Sequence, residues 1–269
     1  MLGSGFPQEC RSMNLTIPSL SDRKDRIILI CAGLAGAAFL AGCAAAPAPE
    51  GMNDPHEVEN RSMHAFNVAA DTHVLKPVSR LFGKPGGSGT QRSVANFANN
   101  LDLPGDVVNN LLQARLGKAV ENTLRFAINS TVGIGGVLDP ATAMGVAGKK
   151  SDFGETLHVW GVGEGHYLEL PLLGPSTARD ALGEVVDSVM NPVGILLQAP
   201  ESYVATAAKL ASKFGDRARY SDTVDSVLYD SADGYAQARL LYLQNRRYEL
   251  GQTTGDDSFV DPYEDPYAE

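Results

Sequence analysis

The chain has 269 residues, 43% of them apolar and 20% charged, with a formal net charge of −10. That supplies apolar material for one large domain or two small ones and excludes a wholly disordered chain, and the acidic balance argues against a nucleic-acid partner. The three cysteines, Cys10, Cys31 and Cys43, all fall in the first 43 residues, which excludes a disulfide framework and a cysteine-based metal site in the rest of the chain.

Residues 1–21 form a polar leader. Arg23, Lys24 and Arg26 follow as a short basic region diluted by Asp22 and Asp25, and Ile27–Leu40 then runs without a charge. A run of that length is short for a membrane span and suits the core of a signal peptide. It ends in Leu40-Ala41-Gly42-Cys43, which closely resembles the bacterial lipobox, where small residues fit the signal peptidase and the cysteine thiol accepts diacylglycerol. Charge, length and cysteine placement favour this reading over an uncleaved helical anchor. Residues 1–42 are therefore expected to be a signal peptide with an extra leader, Cys43 the lipidation site, and 43–53 a tether. Each acyl CH₂ buried in a bilayer contributes about 0.8 kcal/mol, so several chains on one cysteine make a lasting anchor. Ala44 stands where inner-membrane lipoproteins often carry Asp, which by that resemblance implies an outer-membrane destination.

Asp54-Pro55-His56-Glu57 reads as a helix start, with Asp54 as cap and Glu57 completing a capping box, and the helix is expected to run to about Lys76, before Pro77. Gly83–Gly89 reads as a loop, and Thr90 as the cap of a short helix ending near Asn96 or Phe97. Pro104, behind Asp102, is expected to start another helix, with Leu103, Val107, Val108, Leu111 and Leu112 on its apolar face. After a turn near Gly117, Ala119, Val120, Leu124, Ala127 and Ile128 form a second such face. An apolar bend punctuated by Gly133, Gly135 and Gly136 follows. Asp139-Pro140 restarts a short helix through Met144, and Asp152–Gly161 reads as another, broken by Gly161, Gly163 and Gly165.

Tyr167–Leu173 is the one strand-like stretch, although Pro171 argues against a central strand. Ser176 is expected to cap a helix through about Met190 with Leu182, Val185, Val186 and Val189 inward. A helix over about Glu201–Phe214 and a long one over Ser221–Leu250 complete residues 54–251, and the acidic 252–269 tail reads as disordered. With no internal repeat and almost no alternating pattern, the fold class is all-α, about eight helices, several of them short.

The chemistry-bearing candidates are weak. Gly161-Val162-Gly163-Glu164-Gly165 lacks the strand–turn–helix setting of a dinucleotide loop and reads as a flexible loop. Asp152, Glu155 and His158, with His166 nearby, would have to converge for a metal, yet i and i+6 diverge on a helix; a capped helix start explains them better and no metal site is expected. No G-x-S-x-G elbow occurs, so a hydrolase is the least favoured alternative. Trp160 fits an interfacial anchor and a core residue equally well.

Across Asp54–Tyr248 the chain resembles the MlaA/VacJ family of outer-membrane lipoproteins. The resemblance is carried by Asn96-Phe97, Asn100-Leu101 and Pro104; by Val108-Asn109 and Leu112-Gln113; by Arg125-Phe126, Asn129–Gly133, Gly135-Gly136 and Asp139; by Asp152–Leu157, Trp160–Gly163 and Gly165; by Tyr167-Leu168, Leu170–Ser176 and Arg179-Asp180; and by Asp225-Ser226, Tyr229 and Tyr242–Arg247. It implies a ring of short amphipathic helices in the inner leaflet of the outer membrane around an amphipathic channel. It further implies uptake of phospholipids mislocalised to the outer leaflet and their delivery to a periplasmic lipid-carrier protein, association with a trimeric porin, and no enzymatic step or cofactor. In that setting Gly133, Gly135 and Gly136 are the candidate hinge of a hairpin gating the channel. The alternative is a structural envelope lipoprotein without transport activity.

Overall fold

The computed structural model describes residues 49, 51–81, 89–193 and 200–252, all within the second of the chain's two units, Gly42–Glu269. The expected signal peptide, Cys43, most of the tether, most of the Gly83–Gly89 loop and the tail beyond residue 252 lie outside the described residues. Among the described residues the all-α expectation holds, with one small sheet added. The elements are α1 (Glu57–Ala70), α2 (Lys76–Leu81), α3 (Gly89–Leu112), α4 (Leu116–Thr131), α5 (Pro140–Ala143), α6 (Phe153–Val159), β1 (Tyr167–Leu170), β2 (Gly174–Thr177), α7 (Ala178–Met190), α8 (Glu201–Arg219), α9 (Ser221–Asp225) and α10 (Gly234–Glu249).

The first helix starts where expected but is not capped as expected. His56 holds the N-cap position and makes no side-chain cap bond. The Asp54 carboxylate accepts instead from Asn60 at 2.8 Å, from the Tyr235 hydroxyl and from Arg239, which ties the start of the domain to its last helix. A hydrogen bond to a charged partner is worth more than the roughly 1 kcal/mol of a cap. Nor does the helix stop before Pro77. A π-helical turn, Asp71–Leu75, leads directly into α2, and the Lys76 N–H reaches back to the Asp71 carbonyl. The wider turn sits just upstream of the residue that cannot donate.

Pro104 likewise fails to start a helix. It lies inside α3, and the two helices expected there are one. Proline removes the bond to the Asn100 carbonyl and costs roughly 3 kcal/mol in a helix interior. Here α3 packs along both α4 and α8, and that burial offsets the loss. The turn expected near Gly117 comes earlier. Ala114 adopts a left-handed conformation with φ of 56°, the Arg115 N–H closes on the Asn110 carbonyl at 2.8 Å, and Gly117 lies within α4.

Asp139 and Asp152 do cap their helices, accepting from the Thr142 and Glu155 amides. The strand-like stretch is β1, paired antiparallel with β2, so that Tyr167 faces Thr177 and Leu170 faces Gly174. Thr177, one residue beyond the expected Ser176, caps α7. The last long helix is broken: α9 passes through a second π-helical turn, Ser226–Asp230, and α10 restarts behind a cap by Asp233.

The buried apolar core is small. Tyr167, Tyr235 and Leu243 form one cluster of it, with Tyr242 packed against them and the Tyr167 and Tyr235 rings meeting edge to face at 5.9 Å, and the rest is mostly alanine with Leu101 and Leu103. Among the described residues, buried polar side chains outnumber buried apolar ones. No described helix is long and apolar enough to cross a membrane.

Candidate functional site

The site begins with an inversion. On α4 the apolar face divides: Val120 and Leu124 are 59% and 51% exposed, while Ala119 is buried together with Asn122 and Asn129. On α7 the expected inward residues Leu182, Val185 and Val189 are exposed, with Val186 half-buried, while Arg179, Asp180 and Gly183 are buried. Along α3, Leu103 is buried, but so are Asn100, Asn109 and Asn110, and Leu111 is exposed. The helical periods hold on all three helices; the inward placement expected on α7 is reversed, while the apolar face of α3 stays buried or half-buried apart from Leu111. Periodicity shows only that a helix has two faces; it does not say which one meets solvent.

Buried asparagines hold the interior together by standing in for backbone. The Asn122 amide accepts from the Lys149 N–H and donates to the Lys149 carbonyl, both at 2.8 Å. Asn60 does the same across β1, accepting from Glu169 N–H and donating to the Tyr167 carbonyl. Asn67 clamps Leu170 and Leu172. Asn129 accepts from the Ala141 N–H and donates to Asp139, whose other oxygen accepts from Arg125 at 2.6 Å. Each clamp satisfies backbone groups left without a backbone partner, in an irregular segment, on the open edge of β1 or in the first turn of a helix.

The glycine bend is one of these clamped segments rather than a loose one. Its amides bond back into the end of α4: Gly135 N–H to the Ser130 carbonyl at 3.0 Å, Gly136 N–H to Asn129 at 2.8 Å, and Leu138 N–H to Gly133 at 2.9 Å. A Cβ on Gly133 would strike the Asn129 and Leu138 carbonyl oxygens, and one on Gly136, at φ +94°, would meet the Asn100 side chain. The bonds that join the bend to α3 are long, Asn100 to the Gly135 carbonyl at 3.5 Å and Asn96 to Val137 at 3.4 Å. Val132 and Ile134 point outward, 67% and 70% exposed, and Ile134 does so with φ of 55°, a conformation a β-branched residue rarely adopts.

Between α3, α4, the 147–151 segment and α7 lies a cavity of about 380 Å³ lined mostly by polar residue types, Asn100, Asp106, Asn109, Lys149, Lys150 and Asp187 among others, together with Leu103, Val108 and Met190. Burial pushes the Asp106 carboxyl up to about 7, against the pull of the Ser151 N–H that it accepts at 3.2 Å. Burial also raises Asp187, which accepts from Asn109 and from the Phe153 amide, both at 2.8 Å. A smaller cavity of about 220 Å³ shares Asp152 and Asp187 with the first and continues toward Tyr242 and Arg246. There burial pushes Asp180 up, but Arg246 and Arg179 outweigh it and hold the carboxyl at about 2. Arg246 joins Asp152 of the α6 cap to Asp180 of α7 at 2.6 and 3.0 Å, so α10 fixes the spacing of the two elements that wall both cavities.

The residues weighed for a metal serve structure. Asp152 caps α6 and pairs with Arg246, Glu155 pairs with Arg115 and accepts from Ser151, and His158 is buried and held below its usual pKa by that burial. Among the described residues no group of three or more His, Cys, Asp or Glu side chains could hold a metal. His166 instead meets His56 edge to face. Trp160 is half-buried, donates its ring N–H to the Leu112 carbonyl at 3.1 Å and packs on Phe153, so it serves as a packing residue at the end of α3. The Gly161–Gly165 loop is tied down by Arg247, which pairs with Glu164 at 2.6 Å.

Apolar side chains turned out and asparagines and carboxylates turned in give this helical protein an apolar outer surface around a polar interior. The comparisons place it more closely: the chain belongs to the MlaA lipoprotein family, whose model matches residues 52–249. It is 34% identical over 194 residues to an uncharacterised protein of Rickettsia bellii, covering 72% of this chain and 75% of that one. It is 31% identical over 242 residues to the intermembrane phospholipid transport system lipoprotein MlaA of Escherichia coli K12, covering 87% of this chain and 91% of that one. Its fold is similar to a solved structure described as the "structural basis for maintenance of bacterial outer membrane lipid asymmetry", with a TM-score of 0.63, 29% identity, and coverage of 73% of this chain and 98% of that one.

Sequence reasoning missed Asn122, Asp106 and Asp187 as interior residues. A signal was present, because Asn100, Asn109, Asn129 and Asp139 all stand in the motifs that carried the family resemblance. Asparagines repeated on one helical face, opposite a face of valine and leucine, mark an inverted interior once the apolar face is known to be outside.

Proposed function

We propose that this chain is a lipid-anchored outer-membrane protein of intermembrane phospholipid transport, removing mislocalised phospholipids from the outer leaflet and passing them to a periplasmic lipid carrier, so that lipid asymmetry is maintained. The observation that carries the reading is the inversion of α4 and α7. Leaving Val120, Leu124, Val185 and Val189 in water forfeits about 25 cal/mol for each Å² of apolar surface that could be buried, and that surface is recovered if lipid covers it. A charged headgroup crosses hydrocarbon only at a cost of several kcal/mol, and the asparagine- and carboxylate-lined cavity offers a polar route instead. No covalent chemistry and no cofactor enter the mechanism. The names of the family's characterised members, including the phospholipid transport lipoprotein of Haemophilus influenzae at 32% identity over 206 residues, support the same assignment.

Cys43 carries the acyl anchor in this reading, and a trimeric porin is the membrane partner. The glycine bend gates the cavity by moving as a clamped unit, since its internal bonds are short and its bonds to α3 are long. Gly136→Ala pushes a methyl against Asn100 and is expected to shift the gate and alter outer-leaflet phospholipid, whereas Gly135→Ala carries the same left-handed backbone strain, at φ +69°, but adds its methyl into open space. Equal lipid phenotypes for the two variants at equal expression would remove the gating claim. The transport reading is tested by deleting the gene and measuring phospholipid exposed on the cell surface. It should rise and return to normal on complementation, and an unchanged level would defeat the proposal. Extraction in mild detergent should recover a porin with the wild-type chain, and Cys43→Ser should abolish incorporation of labelled fatty acid into the chain.

A further inference from the structure

The larger cavity is lined by ionisable groups of both signs that form no ion pair among the described residues. Lys149 and Lys150 form no ion pair among the described residues, and neither do Asp106 and Asp187, although all four line the same space. The other charges of the lining are spoken for: Arg125 is held by Asp139, Asp152 by Arg246, and Asp102 by Lys209. Lys150 lies near enough to pull on the Asp106 carboxyl, yet the two do not close into a pair. Asp106 is fixed by the Ser151 N–H, and Asp187 by Asn109 and the Phe153 N–H. The backbone of Lys149 is fixed by Asn122. Carboxylates fixed by bonds to their neighbours, with exposed lysines lining the same cavity, complement a ligand that itself carries a separated anion and cation.

We propose that this cavity is a headgroup site selective for zwitterionic, amine-bearing phospholipids over anionic ones, with Lys149 and Lys150 taking the phosphate and Asp106 and Asp187 taking the ammonium. The inference rests on the transport reading and deepens it by naming the substrate class. A glycerol headgroup gives the lysines their phosphate but leaves both carboxylates facing a net negative ligand without compensation. An ethanolamine headgroup places a charge of opposite sign at both ends. The volume, about 380 Å³, lies in the range of small-ligand sites and admits a headgroup while the acyl chains stay outside. Burial, which favours the protonated carboxyl in the empty cavity, makes Asp106 gain most from an ammonium placed beside it.

The test offers the full-length lipoprotein equimolar phosphatidylethanolamine and phosphatidylglycerol in mild-detergent micelles, separates the protein by gel filtration, and counts the retained lipids by mass spectrometry. The wild type should retain the amine-bearing lipid in severalfold excess. Asp106→Asn keeps an oxygen for the Ser151 N–H, so the fold should stand, and the excess should fall severalfold while total lipid persists. The exposed pair Lys149→Gln and Lys150→Gln together should lower total phospholipid severalfold without reversing the preference. Retention by the wild type in the offered ratio, or an excess that Asp106→Asn leaves intact, overturns the headgroup proposal and leaves transport standing. Retention of no phospholipid at all overturns both.

Discussion

Asn122 shows what a single buried amide does in this fold. Its two polar ends serve both backbone groups of Lys149, in a segment with no helix or strand partner of its own. Asn122→Ala leaves a buried donor and acceptor unserved, and each such group costs about 1–3 kcal/mol. The expected result is a loss of about 2–4 kcal/mol in detergent-solubilised unfolding, several degrees in Tm, with proteolysis first appearing near 147–151. Asp106 presents the opposite case. Burial chiefly, with Asp102 and Asp152 adding repulsion and Lys150 and the Ser151 N–H opposing, raises its carboxyl from an ordinary value of 3.8 to about 7. A group whose folded pKa is raised holds more protons folded than unfolded between those values. Stability therefore falls as pH rises through that window, and the penalty is complete above it. Asp106→Asn should be more stable than wild type by about 1–2 kcal/mol at pH 8, after discounting for the partly solvated carboxylate, with the gap closing by about pH 4. A gap independent of pH would show that the carboxyl is not strained by burial. Neither residue was legible as an interior group from the sequence, because a polar residue on a helix reads as solvated until something shows that the solvent side is the other one.

At the scale of elements the sequence was most legible where a side chain acts on its own neighbourhood. The caps at Asp139 and Asp152 reach amides three residues on, and both helix starts are legible in the sequence. Legibility failed where tertiary contact overrides a local preference. Pro77 and Pro104 looked like boundaries, yet one follows a widened turn and the other sits in a helix packed along α4 and α8. Asp54 looked like a cap and was drawn away by Arg239 and Tyr235. The turn between α3 and α4 retains a local misfit: Ala114 sits at φ of 56° and is exposed, so its methyl gains no packing to offset a left-handed backbone. Ala114→Gly should therefore stabilise the protein by about 0.5–1 kcal/mol, despite the entropy glycine adds to the unfolded chain. Thermal unfolding checks this, and a loss of stability would mean the turn is held by something other than the Schellman-type closure at Asn110.

For the whole molecule, the question is whether the outward apolar faces are a cost borne in water or a surface made for lipid. Two observations favour lipid. The exposed residues come as matched sets on separate elements, Leu116, Val120 and Leu124 on α4 and Leu182, Val185 and Val189 on α7. The most strained tips are also apolar: Ile134 and Leu172 both adopt left-handed backbone and are 70% and 63% exposed. Glycine would fit both positions with less strain, so the fold alone gives no reason for isoleucine or leucine there. The two accounts diverge under mutation. If the faces are lipid-covered, Ile134→Gly should raise the unfolding temperature of the detergent-free soluble domain, through relief of the left-handed β-branched residue, and should weaken its binding to phospholipid vesicles. Leu124→Ser with Val185→Ser should leave the fold intact, since neither side chain is buried, and should weaken vesicle binding further, in proportion to the apolar area removed. Vesicle flotation of chains lacking residues 1–43 separates this contribution from that of the acyl anchor. Binding unchanged by all three substitutions would assign the exposed apolar surface to a protein partner instead, and the inversion of α4 and α7 would then describe an interface rather than a membrane face.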